Sequence, residues 1–161
     1  MRMRKAKLML AGLVVASAFG GIAIGIAWAT SGSGITSTTL VGPVLFDEID
    51  TKAETDDWKI ELKTKGLSDV YVTHIKIVPG GYSGWHSHPG PSIISVKAGT
   101  ATFYDECDGA VTPHHYPAGT GFVEDAGCVH ILKNEGNVDL EVIVVQIVPF
   151  GAPRRIDEQA P

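Results

Sequence analysis

From residue 58 onward apolar and polar residues alternate with a period close to two, the spacing that sends successive side chains to opposite faces of a β-strand. Trp58-Lys-Ile-Glu-Leu-Lys63 is the plainest case. Residues 70–78 are β-branched and aromatic and stop at Pro79-Gly80-Gly81. Residues 93–96 and 100–104 flank Lys97-Ala-Gly99, which reads as a hairpin turn. Residues 119–123, 129–133 and 138–148 follow, separated by Gly, Asp and Asn. Past residue 30 no stretch carries a 3.6-residue apolar period, and residues 47–57 have room for one helical turn at most. Many short strands with glycine-rich corners predict an all-β sandwich or barrel. Residues 30–45, rich in Ser, Thr and Gly, read as a linker and edge strand, and 46–150 as the folded domain. The polar, proline-containing end, 151–161, reads as a loose tail.

One segment breaks this pattern. Residues 8–29 form an uncharged, mostly apolar run behind a basic start of Arg2, Arg4, Lys5 and Lys7. The run predicts an N-terminal apolar helix and ends in Ala27-Trp28-Ala29, a small-x-small pattern suited to signal peptidase. It is also long enough to cross a bilayer as a retained anchor. Both readings stay open. After Lys7 the next positive residue is Lys52, so the charge bias keeps the amino terminus inside. The folded part is then expected outside the cytoplasmic membrane, secreted or anchored, with membrane contact only through residues 1–29.

The chain of 161 residues carries 13 Lys+Arg against 18 Asp+Glu, a net charge of −5. Without the four basic residues of the leader the balance is 9 against 18, or −9. That argues against nucleic acid or anionic lipid as a partner of the folded domain. Cys107 and Cys128 are the only cysteines. In an exported protein an even pair reads first as a disulfide. The competing reading sets Cys128, two residues before His130, beside a metal.

The chemistry concentrates in three histidines. His86 and His88 are two residues apart after Gly80-Gly-Tyr-Ser-Gly-Trp, and on a strand such a pair aims both rings into one cavity. His130, in Gly127-Cys-Val-His130-Ile-Leu-Lys-Asn134, supplies a third imidazole from a neighbouring strand. Together they form a facial set of metal ligands. His114 and His115 read as exposed and His74 as structural. Trp85 reads as packing, and Tyr104, Glu106 and Glu124 are cavity candidates among which the sequence does not choose.

The glycines around these histidines resemble the two motifs of the cupin superfamily. Gly80, His86, His88 and Gly99 keep the spacing of the first, and Gly119, Gly127, His130 and Asn134 that of the second. The resemblance implies a double-stranded β-helix of the jelly-roll type, in many members a homodimer. It also implies that His86, His88 and His130 hold a divalent transition metal: Zn, Cu, Mn or Fe. Outside the cytoplasm Zn, Cu or Mn is favoured over reduced iron. Two positions depart from the motifs. Asp125 replaces a turn Pro, and Ser92 replaces the Glu that is the usual anionic ligand. A site of three neutral imidazoles is expected to favour an anionic small molecule and to hold metal less tightly. Thiol dioxygenases, which resemble this fold, work without the carboxylate. Ser92 is a candidate hydrogen-bonding partner for water at the metal. Asn134, another candidate supporting residue, has a mostly structural counterpart in the family.

The leading functional expectation is an exported metal-binding protein acting as a small-molecule oxidoreductase of dioxygenase type; no catalytic residue is assigned. The alternative is a non-catalytic ligand- or metal-binding module at the cell surface. A third is a jelly roll whose site has decayed. One fold hosts many chemistries, so the motifs speak to fold more strongly than to activity.

Overall fold

The computed structural model describes residues 30–107, 109 and 111–161; the expected helix at 1–29, with its signal or anchor role, lies outside them. Among the described residues no helix is long and apolar enough to cross a membrane. The strands are β1 (Ser33–Phe46), β2 (Asp50–Glu54), β3 (Lys59–Lys63), β4 (Ser68–Tyr82), β5 (His86–Ser87) and β6 (Ser92–Ala98). They continue with β7 (Thr100–Asp105), β8 (Thr112–Pro117), β9 (Gly121–Glu124), β10 (His130–Lys133), β11 (Leu140–Pro149) and β12 (Ile156–Asp157).

All pairings are antiparallel and build two walls. One wall runs β1-β4-β11-β6-β9 and the other β12-β5-β10-β7-β8. They join where the far end of β4 meets β10, at Tyr82 opposite Lys133. The result is a nearly closed barrel of the jelly-roll type, with β2 and β3 as a separate hairpin.

The period-two pattern is legible in the core. Along β11, Leu140, Val142, Val144, Gln146 and Val148 are buried and their neighbours are not. On β6 the inward stripe is Ser92, Ile94 and Val96. Leu140, Val142, Val144, Ile94 and Val96 close one apolar cluster with Ile77 on β4 and with Phe103 and Leu132 from the facing wall.

One expectation is sharpened and two are corrected. The edge strand expected within residues 30–45 is β1, which pairs with β4 from Ile35 opposite Ile77 to Phe46 opposite Ser68 and takes up nearly all of the stretch read as linker. Its β-branched Ile, Thr and Val suit a strand once β4 offers a ladder, and composition alone cannot show that partner. The segment 97–99 is not a hairpin turn: β6 pairs with β11 and β9, and β7 with β10 and β8. Gly99 is a corner between walls, at φ +76°, where an added Cβ would lie 2.7 Å from the Asp139 carbonyl oxygen. The tail is docked, with β12 paired to β5.

Cys107 and Cys128 form a disulfide with Cα atoms 5.7 Å apart and a sequence separation of 21. It ties the exit of β7 to the approach of β10. A loop of this size is worth about 3 kcal/mol in the chain-entropy model. Cys107→Ser/Cys128→Ser is therefore expected to lower the unfolding free energy by about that amount in a urea titration.

Candidate metal centre

The sequence around the first histidine pair is built to lock it against β10. After β4 turns at Pro79-Gly80-Gly81, the Gly80 amide donates to the Asn134 carbonyl and the Asn134 amide to the Gly81 carbonyl, at 2.9 and 3.0 Å. The Ser83 hydroxyl accepts from the Leu132 amide at 2.9 Å. This ladder sets His86 directly opposite His130. Ring centroids lie 4.8 Å apart for His86–His88, 4.4 Å for His86–His130 and 5.1 Å for His88–His130.

The other wall faces them with a row read across four strands: Tyr71 on β4, Gln146 on β11, Ser92 on β6 and Glu124 on β9. One step deeper the row is Thr73, Val144, Ile94 and Phe122. Apart from Thr73, the change from polar to apolar between rows separates the site from the core.

Each imidazole spends one ring nitrogen on a backbone carbonyl. His86 Nδ1 meets the Gly84 oxygen at 2.8 Å, His88 Nδ1 the Arg154 oxygen at 2.6 Å and His130 Nδ1 the Cys128 oxygen at 2.8 Å. A carbonyl oxygen only accepts, so all three Nδ1 atoms carry the proton. Burial drives the His86 pKa down to about 2, helped by the nearby charges of His130, Arg155 and His88. Burial also lowers that of His130, against the pull of Glu124. His130 Nε2 is buried with no hydrogen-bond partner. A buried lone pair without a partner is costly, and the three rings offer ligand atoms all within 4.8 Å of one another. This donor set fits a divalent transition metal held by His86, His88 and His130, with the carbonyls orienting each ring.

The depressed pKa values set a stability window for metal-free protein. Below pH 6.5 an unfolded chain protonates the His86 imidazole, which the folded protein leaves neutral down to about pH 2. Stability therefore falls as the pH is lowered through that range, by up to about 1.4 kcal/mol per pH unit for each such imidazole. Urea midpoints with a chelator present, at about pH 7.5 and about pH 5, should show the drop.

A cavity of about 290 Å³ opens beside the histidines. Ile35, Ile75 and Ile94 form its apolar side, and Glu124, Gln146, Arg154 and Arg155 its polar side. Glu124, one of the expected cavity candidates, thus lines the cavity, although Ser92 leaves the first-motif position without a carboxylate. Ser92 itself is fully buried and accepts from the Gln146 amide at 3.3 Å. The Gln146 carbonyl oxygen is held by the Arg154 guanidinium through Nε at 3.0 Å and Nη2 at 2.7 Å. Asn134 donates to the Ile77 and Val138 carbonyls, both at 2.8 Å, and so braces a turn rather than a ligand. The Cys128 sulfur is taken by the disulfide and is no metal ligand. His114 and His115 are exposed on β8. His74 pairs with Glu141 at 3.0 Å, and Tyr104 donates to Glu135 at 2.8 Å, away from the cavity. Gln146 carried a sequence signal, a lone polar residue in an apolar inward stripe. Arg154 and Arg155 carried none.

A β-barrel of two antiparallel walls with a convergent histidine cluster at one end defines a metal-binding jelly roll. A family model described as a cupin domain matches residues 73–146, which supports the resemblance to the cupin superfamily carried by the two motifs. Similar solved structures include a conserved protein of unknown function from Streptococcus pyogenes, with a TM-score of 0.49 and 19% identity over 71% of this chain and 75% of that one. Oxalate oxidase in complex with the substrate analogue glycolate gives 0.44 and 23% over 48% of this chain and 41% of that one. A predicted oxalate decarboxylase from Thermotoga maritima gives 0.42 and 28% over 53% and 84%. This chain thus spans under half the length of the oxalate oxidase. No curated protein matches it.

Proposed function

We propose that this protein is an exported metal-dependent oxidoreductase that acts on a small anionic molecule. The observation that carries the metal is the set of three buried imidazoles with every Nδ1 proton given to a backbone carbonyl and the His130 Nε2 left without a partner. Bound there, a divalent transition metal would supply Lewis acidity or dioxygen activation. The chain's own residues do the rest. Ile35, Ile75 and Ile94 exclude water from one side of the cavity. Arg155 brings positive charge to the lining and acts on the histidines electrostatically, which suits an anionic guest. Export is supported by the basic start and apolar run, and by a disulfide suited to an oxidising compartment.

A non-catalytic binding module is the second reading. It is favoured by a cavity whose one carboxylate, Glu124, faces the histidines. Metal analysis of protein purified from its own compartment is expected to find about one ion per chain. Dioxygen uptake with a panel of small acids and phenols is expected to identify a substrate. Tight binding without turnover would favour the second reading. Sub-stoichiometric metal, equal in the wild type and in His86→Ala/His88→Ala, would sink both.

A further inference from the structure

We infer that Glu124 supplies a carboxylate ligand to this centre, from the strand next to the one on which the first motif would carry it. The inference rests on the three-histidine reading above. Ser92 on β6 and Glu124 on β9 are direct cross-strand partners. A carboxylate at both places would set like charges side by side, which destabilises a sheet. One at 124 with a small residue at 92 avoids that and leaves the acid on the same row, facing the histidines.

The Glu124 side chain is buried, the residue being 4% exposed. Its Oε2 lies 3.3 Å from His88 Nε2 and its Oε1 3.6 Å from His130 Nε2. Both rings have a proton on Nδ1, so in their neutral, metal-ligating form these Nε2 atoms present lone pairs to a carboxylate. Two lone pairs and an anion in a buried space repel unless positive charge lies among them. The neighbouring arginines lend positive charge to the cavity lining, but neither forms an ion pair with Glu124. The Arg154 guanidinium is committed to Gln146, Thr73 and Thr39, and Arg155 pairs with Asp157. A proton satisfies one contact at a time, and 3.6 Å is too long for a hydrogen bond. A divalent cation satisfies both contacts together and brings His130 Nε2 its missing partner.

Co²⁺ titration of metal-free protein, followed by visible absorption, tests this. Glu124→Gln keeps shape and removes charge. It is expected to weaken Co²⁺ binding by ~10–100-fold or more and to change the absorption band. The swap Ser92→Glu/Glu124→Ser returns a carboxylate to the row and is expected to recover affinity relative to Glu124→Gln. Glu141→Gln, on the outer face, serves as the charge control and should bind as the wild type does. Glu124→Gln with wild-type affinity and spectrum, beside a His130→Ala that no longer binds, would overturn the inference and leave the histidine site standing. His130→Ala binding as well as the wild type would overturn the metal site and Glu124 with it.

Discussion

The double variant His86→Ala/His88→Ala is expected to purify folded but without metal, with affinity for added Co²⁺ or Zn²⁺ reduced by more than ~100-fold. The two rings are two of the three that converge, and each is pre-oriented by a carbonyl 2.8 or 2.6 Å from its Nδ1. Loss of a group that only orients a ligand costs about 10–100-fold in affinity; loss of two ligands should exceed that. The fold should survive, because the apolar cluster of Ile77, Ile94, Val142 and Leu132 lies behind the site and includes neither ring. Removing His86 also removes a group that resists protonation when buried. The metal-free variant should therefore tolerate acid better than the metal-free wild type. A variant that keeps stoichiometric metal would refute the histidine site. One that fails to fold would instead show these residues to be structural.

What was legible in the sequence follows from what each residue sees locally. The strands at 70–78, 93–96 and 138–148 were readable because each has one inward face, and burial imposes a period of two. β8 was not, since Thr112–Pro117 is mostly exposed and holds two prolines, so nothing forces alternation. β1 was legible only as an edge strand behind a linker: its ladder comes from β4, some thirty to forty positions away along much of its length, and a Ser/Thr/Gly composition gives no sign of that partner or of the strand's extent. A glycine corner looks the same from sequence whether the next strand folds back or crosses to the other wall, as Gly99 does. The three histidines were legible because their spacing is local and repeated in a frame of glycines. Glu124 was named only as one of three cavity candidates, beside Tyr104 and Glu106. What singles it out is its pairing with Ser92 across two strands, which appears only once the register of β6 and β9 is known.

The tail makes the second large prediction. Deleting residues 151–161 is expected to lower stability by several kcal/mol and to weaken metal binding by ~10–100-fold. The Arg154 carbonyl is the acceptor for His88 Nδ1, so the deletion frees one ligand ring to turn. The Arg154 guanidinium holds Gln146 through two bonds and reaches Thr73 Oγ1 at 2.6 Å. Without it the buried Gln146 oxygen loses its donors, a penalty of about 1–3 kcal/mol by itself. β12 covers the edge of β5, and the Glu158 amide donates to the Trp85 carbonyl at 3.0 Å. The Ser87 hydroxyl adds a bond to Glu158 at 2.9 Å. Arg154→Ala separates these roles, because it keeps the backbone carbonyl and loses the guanidinium. It should cost about 1.5–3 kcal/mol in a urea titration, the range for hydrogen bonds to a charged group, and affect metal affinity less than the deletion does. If the shortened protein matched the full chain in both urea midpoint and Co²⁺ affinity, the tail would have no share in the site. A loss of affinity in the deletion, with Arg154→Ala close to wild type, would assign the tail's contribution to the single carbonyl that orients His88.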